Sequence, residues 1–111
     1  MKLLVCGTRN AKYHPVQVLK HIDELSPNTI IEGCCPDSAD IIAEKYDKAE
    51  REIKHEHYPS SSGNYLRRNI EMVNACDQVL AFWDGWSYGT AHTIAQAVMK
   101  GKPITIVQVD K

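Results

Sequence analysis

Residues 84 to 90 read Asp84-Gly85-Trp86-Ser87-Tyr88-Gly89-Thr90, a composition suited to holding an anion. Gly85 and Gly89 let backbone amides come close to an oxyanion, and Ser87 and Thr90 add hydroxyls. A helix starting here would contribute its unpaired N–H groups and the positive end of its dipole. Phosphate is the natural guest. Glycine and serine would equally serve a plain turn and helix cap, so the segment gains weight from a second one near the start, Gly7-Thr8-Arg9-Asn10. The Arg9 guanidinium can meet a phosphate in a bidentate fork.

Further residues could join them. Arg67-Arg68-Asn69 opens a predicted helix, and at least one arginine could reach over the sheet edge rather than sit on a solvated face. Asp84 could accept hydrogen bonds from ribose hydroxyls or orient a water, or it could cap the amides of Trp86 and Ser87. Of the aromatic residues in the same loops, Trp83 is expected to pack in the core. Trp86 and Tyr88, with Tyr65, offer faces on which a base could stack. His55 and His57 share one face of a predicted strand but lack a third ligand at a telling spacing, so they are read as structural or exposed and no metal is assigned. His92 falls in the first turn of the last helix, near the proposed phosphate. Cys34-Cys35 has no Cys-x-x-Cys spacing, and all four cysteines are read as packing residues.

These residues need elements to position them, and the chain alternates short β-type runs with helical ones, the signature of parallel βαβ units. The predicted strands are Lys2 to Cys6, Thr29 to Glu32, Glu52 to His57, Gln78 to Trp83 and Ile104 to Val109. Between them the spacing predicts four helices. The first runs from Pro15 to about Leu25, with Val16, Leu19, Ile22 and Leu25 on its inner stripe. The second is capped by Ser38 and turns Ala39, Ile42, Ala43, Tyr46 and Ala49 inward. The third spans Tyr65 to Ala75. The fourth spans Thr90 to Lys100, with Ile94, Ala95, Ala97 and Val98 apolar and Gly101 as its left-handed cap. Tyr58 to Asn64, with a proline, three serines, a glycine and an asparagine, is the candidate mobile loop.

Right-handed crossovers then predict a single Rossmann-like three-layer α/β domain over residues 1–111, its five-stranded parallel sheet ordered 3-2-1-4-5 with helices on both faces. In such a sheet the winding reverses beside the first strand. The loops after strands one and four therefore part and leave a crevice, which nominates the two segments named above.

Bulk composition excludes other classes. At 111 residues with 13 basic and 14 acidic groups, the formal charge of −1 provides no field to hold a polyanion, so nucleic acid is not the expected partner. No apolar run approaches the ~20 residues that cross a bilayer. The apolar start is too short for a secretory signal, and a cytoplasmic location is expected.

Val5-Cys6-Gly7-Thr8-Arg9, Glu32-Gly33, Asp37-Ser38-Ala39-Asp40, Arg68-Asn69-Ile70-Glu71-Met72 and the run from Asp77 to Thr90 together resemble the SLOG superfamily. This Rossmann-like group includes the Lonely Guy phosphoribohydrolases and the DNA-processing A proteins. The likeness spans nearly the whole chain and is strongest to small stand-alone members of unknown activity. It implies a nucleotide-derived ligand held by Gly7, Thr8 and Arg9, by the Gly33 turn, by Arg68 and Asn69, and by Asp84, Gly85, Ser87, Gly89 and Thr90. Arg68 and Met72 match the Arg-Lys-x-x-Met segment of Lonely Guy enzymes. In the second segment, Pro-Gly-Gly-x-Gly-Thr-x-x-Glu, Thr93 stands where the catalytic glutamate would be, and threonine cannot act as a carboxylate acid or base.

Two functions follow as expectations. One is a sensor or sequestering module for a nucleotide-like phosphorylated small molecule, with no cofactor and no catalytic residue assigned. The other is an N-glycosidic hydrolase or transferase acting on nucleoside monophosphates, with Asp84 or Glu71 as the substitute carboxylate. A homodimer or higher homo-oligomer joined through apolar helix faces is expected as well.

Overall fold

The computed structural model describes residues 1–33, 38–47, 52–59 and 65–110. Cys34, Cys35, Asp37, Ala49 and residues 60–64 of the predicted mobile loop lie outside the described residues. Five strands, β1 (Lys2–Gly7), β2 (Thr29–Glu32), β3 (Lys54–His57), β4 (Gln78–Trp83) and β5 (Ile104–Gln108), form one all-parallel sheet ordered β3-β2-β1-β4-β5. The helices are α1 (Pro15–Leu25), α2 (Ala39–Glu44), α3 (Tyr65–Ala75) and α4 (Tyr88–Met99), and a 3-10 turn at Arg9–Tyr13 precedes α1. This is the Rossmann-like arrangement the alternation predicts.

The inner strands β1, β2 and β4 are largely apolar on both faces because helices cover both. Leu3, Val5, Ile30, Leu80 and Phe82 turn to one side, against Val18 and Ile22 of α1 and Ala39 and Ala43 of α2. Leu4, Cys6, Ile31, Val79 and Ala81 turn to the other, against Met72 and Val73 of α3 and Ala97 of α4. Each fully buried Leu, Ile or Phe contributes roughly 1.5–3 kcal/mol through burial. Both β1 and β4 are central, paired from Leu3↔Gln78 to Gly7↔Phe82.

Several boundaries and faces differ from the sequence reading. In α1 the inner stripe is Val18 and Ile22 with Leu25 partly covered, while Val16 is 78% exposed and Leu19 faces outward. The periodicity allowed either stripe. The preceding turn decides between them: it buries Ala11 and enters α1 through His14, whose amide donates to the Ala11 carbonyl (3.0 Å). α2 stops at Glu44, and Tyr46 is buried beyond its end, its hydroxyl donating to Asp23 (2.6 Å). β3 begins at Lys54 rather than Glu52. In α4 the buried residues are Thr90, Thr93 and Ala97, whereas Ala95 and Val98 are exposed, because the stripe of smaller residues spaced three and four apart is the one that lies on the sheet.

Candidate functional site at the carboxyl edge of the sheet

The chain leaves β1 toward the α1 face and β4 toward the α4 face, so the two loops diverge beyond the sheet. Thr8 is buried and ties them together: its amide donates to the Phe82 carbonyl (2.8 Å), and its hydroxyl oxygen accepts from the Asp84 amide (3.0 Å). A Cβ on Gly7 would meet the Phe82 carbonyl oxygen at 3.1 Å and the Ala39 Cβ at 3.2 Å. Only glycine lets the start of α2 lie this close to the end of β1. Beyond these residues opens a cleft of about 800 Å³.

The loop after β4 is organised by Asp84. One carboxylate oxygen accepts from the amides of Trp86 and Ser87 (both 2.8 Å), the other from the Ser87 hydroxyl (3.1 Å). Burial alone would raise this carboxyl's pKa, but the Ser87 and Trp86 donors outweigh it and hold it below its ordinary value. Gly85 makes the turn at φ +84°, and the Trp83 indole N–H holds the Ser87 carbonyl (3.0 Å). Trp83 is thus half-buried and clamps the loop, rather than filling the core. With the Ser87 hydroxyl spent on Asp84, no side chain caps α4. Among the described residues the amides of Tyr88, Gly89 and Thr90 have no acceptor, and all three residues line the cleft.

The opposite wall is built around Gly33. Its amide donates to Asp40 (2.9 Å), and its carbonyl accepts from Arg68 (3.0 Å). A Cβ here would lie 2.7 Å from the Arg68 guanidinium, so a side chain would push that group away. Asp40 is buried, and its second oxygen accepts from the Ser38 hydroxyl (2.7 Å). Arg68 also donates to Asn69 (3.2 Å), yet its Nε is buried with no partner. Asn69, buried as well, donates to the Gly89 carbonyl (3.3 Å) and so links α3 to the start of α4. The Cys6 thiol lies on the cleft floor, its pKa pushed far up by burial and by the Asp40 carboxylate. Arg9 is exposed at the rim, with no partner among the described residues.

Of the residues nominated from sequence, Gly7, Thr8, Arg9, Gly33, Arg68, Asn69, Asp84, Ser87, Gly89 and Thr90 line this one cleft. Gly85 does not; it shapes the turn. Trp86 is 73% exposed and outside the cleft, while Tyr65 and Tyr88 line it. Glu71 is an exposed residue paired with Arg67 (3.8 Å), away from the site. His92 also lies outside the lining, its Nδ1 against the Asn69 amide nitrogen (3.4 Å). His57 meets the buried Glu32 carboxylate, and His55 bonds the Tyr46 carbonyl (2.9 Å). Among the described residues no group of three or more His, Cys, Asp or Glu could hold a metal ion. The sequence reading did not nominate Asp40, Cys6 or Thr93 for the lining. Asp40 entered only as part of the Asp37-Ser38-Ala39-Asp40 segment of the resemblance, and an acid two positions after a capping serine reads equally as an ordinary helix start.

No protein-family model, curated protein or solved structure matches the chain. The cleft's chemistry therefore rests on its own residues. Among the described residues its lining includes three whose amides have no acceptor and two arginines, Arg9 without a partner and Arg68 pinned to Gly33. Both oxygens of each lining carboxylate already accept hydrogen bonds from the protein.

Proposed function

We propose that the protein binds a nucleotide-like phosphorylated small molecule in this cleft, as a sensor or sequestering module, and that it is a small stand-alone member of the SLOG superfamily. The observation that carries the reading is the uncapped first turn of α4, whose residues Tyr88, Gly89 and Thr90 line the same cavity as Arg9. Amides at a helix start and a guanidinium together suit a phosphate. Tyr65 and Tyr88, both in the lining, give a planar base a surface to stack on.

Binding is preferred over glycosidic-bond cleavage because, among the described residues, no carboxylate in the lining is free to act. Asp84 is consumed by its turn, and Asp40 by Gly33 and Ser38. Thr93 donates its hydroxyl to the Gly89 carbonyl (3.2 Å), and Glu71 is elsewhere. The cytoplasm is the proposed location, matching a phosphorylated metabolite as ligand. Among the described residues no helix is long and apolar enough to cross a membrane.

Calorimetric titration with nucleoside phosphates and with the same nucleosides lacking phosphate tests the reading. Phosphate-dependent binding is expected, weakened about tenfold or more by Arg9→Gln through loss of a charge-assisted fork. Equal binding of a nucleoside and its phosphate, or no binding of either, would refute it.

A further inference from the structure

The two edges of the sheet differ in a way that the ligand reading neither uses nor requires. The β3 edge carries Lys54-His55-Glu56-His57, and Glu56 pairs with Lys2 (3.0 Å). Charges of this kind blunt an edge against pairing with another chain. The β5 edge is Ile104-Thr105-Ile106-Val107-Gln108, with no charge, no proline and no glycine. Among the described residues nothing pairs with its outer side.

The backbone alternation of β5 is fixed by its contacts with β4. The Pro103 carbonyl accepts from Val79 (2.9 Å), and the Val109 amide donates to Trp83 (3.0 Å). Residues alternate in direction along a strand, so the N–H and C=O groups of Ile104, Ile106 and Gln108 point outward. Ile106 is the midpoint of that set. If a second copy approaches antiparallel with the two-fold axis at Ile106, then Ile104 faces Gln108 of the other copy. One step further out, Lys102 faces Asp110 of the other copy. Opposite charges thus meet at both ends of the seam, and no like charges oppose each other. In the single copy the Lys102 ammonium bonds the Cys76 carbonyl (2.6 Å) on the inner side of β5, and pairing would exchange that bond for the other copy's Asp110.

Apolar surface adjoins the same edge. Ile106 is 48% exposed on the face that α4 covers, and Val98 of α4 is 64% exposed. With Thr93 and Ala97 down on the sheet and Gly89 and His92 turned toward α3, the helical period leaves Ile94 and Val98 on the flank above β5. A stable dimer buries roughly 800 Å² per partner, more than a short strand pair supplies alone. This flank adds apolar area beside the seam.

We propose that β5 is the seam of a two-fold homodimer, in which two copies pair antiparallel about Ile106 and merge their sheets into one. The pairing forms about six main-chain hydrogen bonds from the three outward residues on each side. It places the joint in the sheet, where the sequence reading expected helix faces.

Sedimentation of the full chain over a range of concentrations tests this. A reversible dimer is expected, and Ile106→Lys, which sets two ammonium groups against each other at the axis, should weaken it more than about tenfold. Cross-linking provides a second measurement, in a background with Cys34→Ser and Cys35→Ser. At the axis the two Cα atoms would stand about 5.5 Å apart, within disulfide range. Ile106→Cys should therefore form a disulfide-linked dimer on mild oxidation, whereas Thr105→Cys, which faces residue 107 of the other copy, should not. A wild-type protein that stays monomeric, a dimer indifferent to Ile106→Lys, or equal cross-linking at 105 and 106 would overturn the proposal.

Discussion

At the scale of single residues, the site depends on side chains that hold backbone in place. Thr8 joins the two loops, Asp84 folds the second, and Arg68 and Asp40 grip the Gly33 peptide from both sides. A Cβ at Gly33 would meet the end of a flexible arginine, but at Gly7 the atoms it would meet are a central-strand carbonyl and two alanine methyl groups that have no room to retreat. Gly7→Ala is expected to destabilise the fold by about 1–3 kcal/mol, as overpacking does, read by urea denaturation. Asp84 predicts a pH dependence. Its pKa is lowered on folding, so its contribution to stability is present above its ordinary value of 3.8 and is lost as the pH falls through the lower folded value. The stability gap between wild type and Asp84→Asn should hold steady between about pH 5 and 7 and close below about pH 4. A gap that does not change with pH would mean that the charge contributes nothing to the turn.

At the scale of elements, α4 matters most, because its start forms the cleft and its end leads into β5. Gly101 closes it with φ +68°. The Gly101 amide donates to Val98 (3.1 Å) and the Lys102 amide to Ala97 (2.9 Å), the two bonds of a Schellman motif. Gly101→Ala forces a side chain into the left-handed region and is expected to lower stability by about 1 kcal/mol. Since this end is remote from the cleft, ligand affinity should stay unchanged. A loss of affinity in that variant would show that the helix responds as a unit.

At the scale of the whole molecule, a small domain with a cleft at its sheet edge gains measurable stability from any ligand that favours the folded state. At a hundredfold excess over the dissociation constant the gain is about 2.7 kcal/mol. In a domain of this size that corresponds to a rise in Tm on the order of 10 °C. Thermal unfolding across nucleoside phosphates, nucleotide sugars and cyclic nucleotides should find such a shift for a phosphorylated class and none for the bare bases. A flat response across all of them would count against the cleft as a phosphate site.

The order of strands and helices was legible in the sequence because it depends on local periodicity and on chain connectivity. The apolar run of β4, the Pro15 start of α1 and the Gly101 stop of α4 are all short-range signals. The strand order in turn placed the loops near residues 8 and 87 beside each other. What tertiary structure decided was rotation and hydrogen-bond partnership. Val18 rather than Val16 faces the core because a turn outside the helix sets its angle. Gly85 shapes the loop instead of lining the cleft because Asp84 takes the Trp86 and Ser87 amides. Asp40 is buried beside Gly33 because α2 is laid over the end of β1. In each case the outcome depends on which distant atoms satisfy a donor or fill a gap, and no local pattern of residue types encodes that.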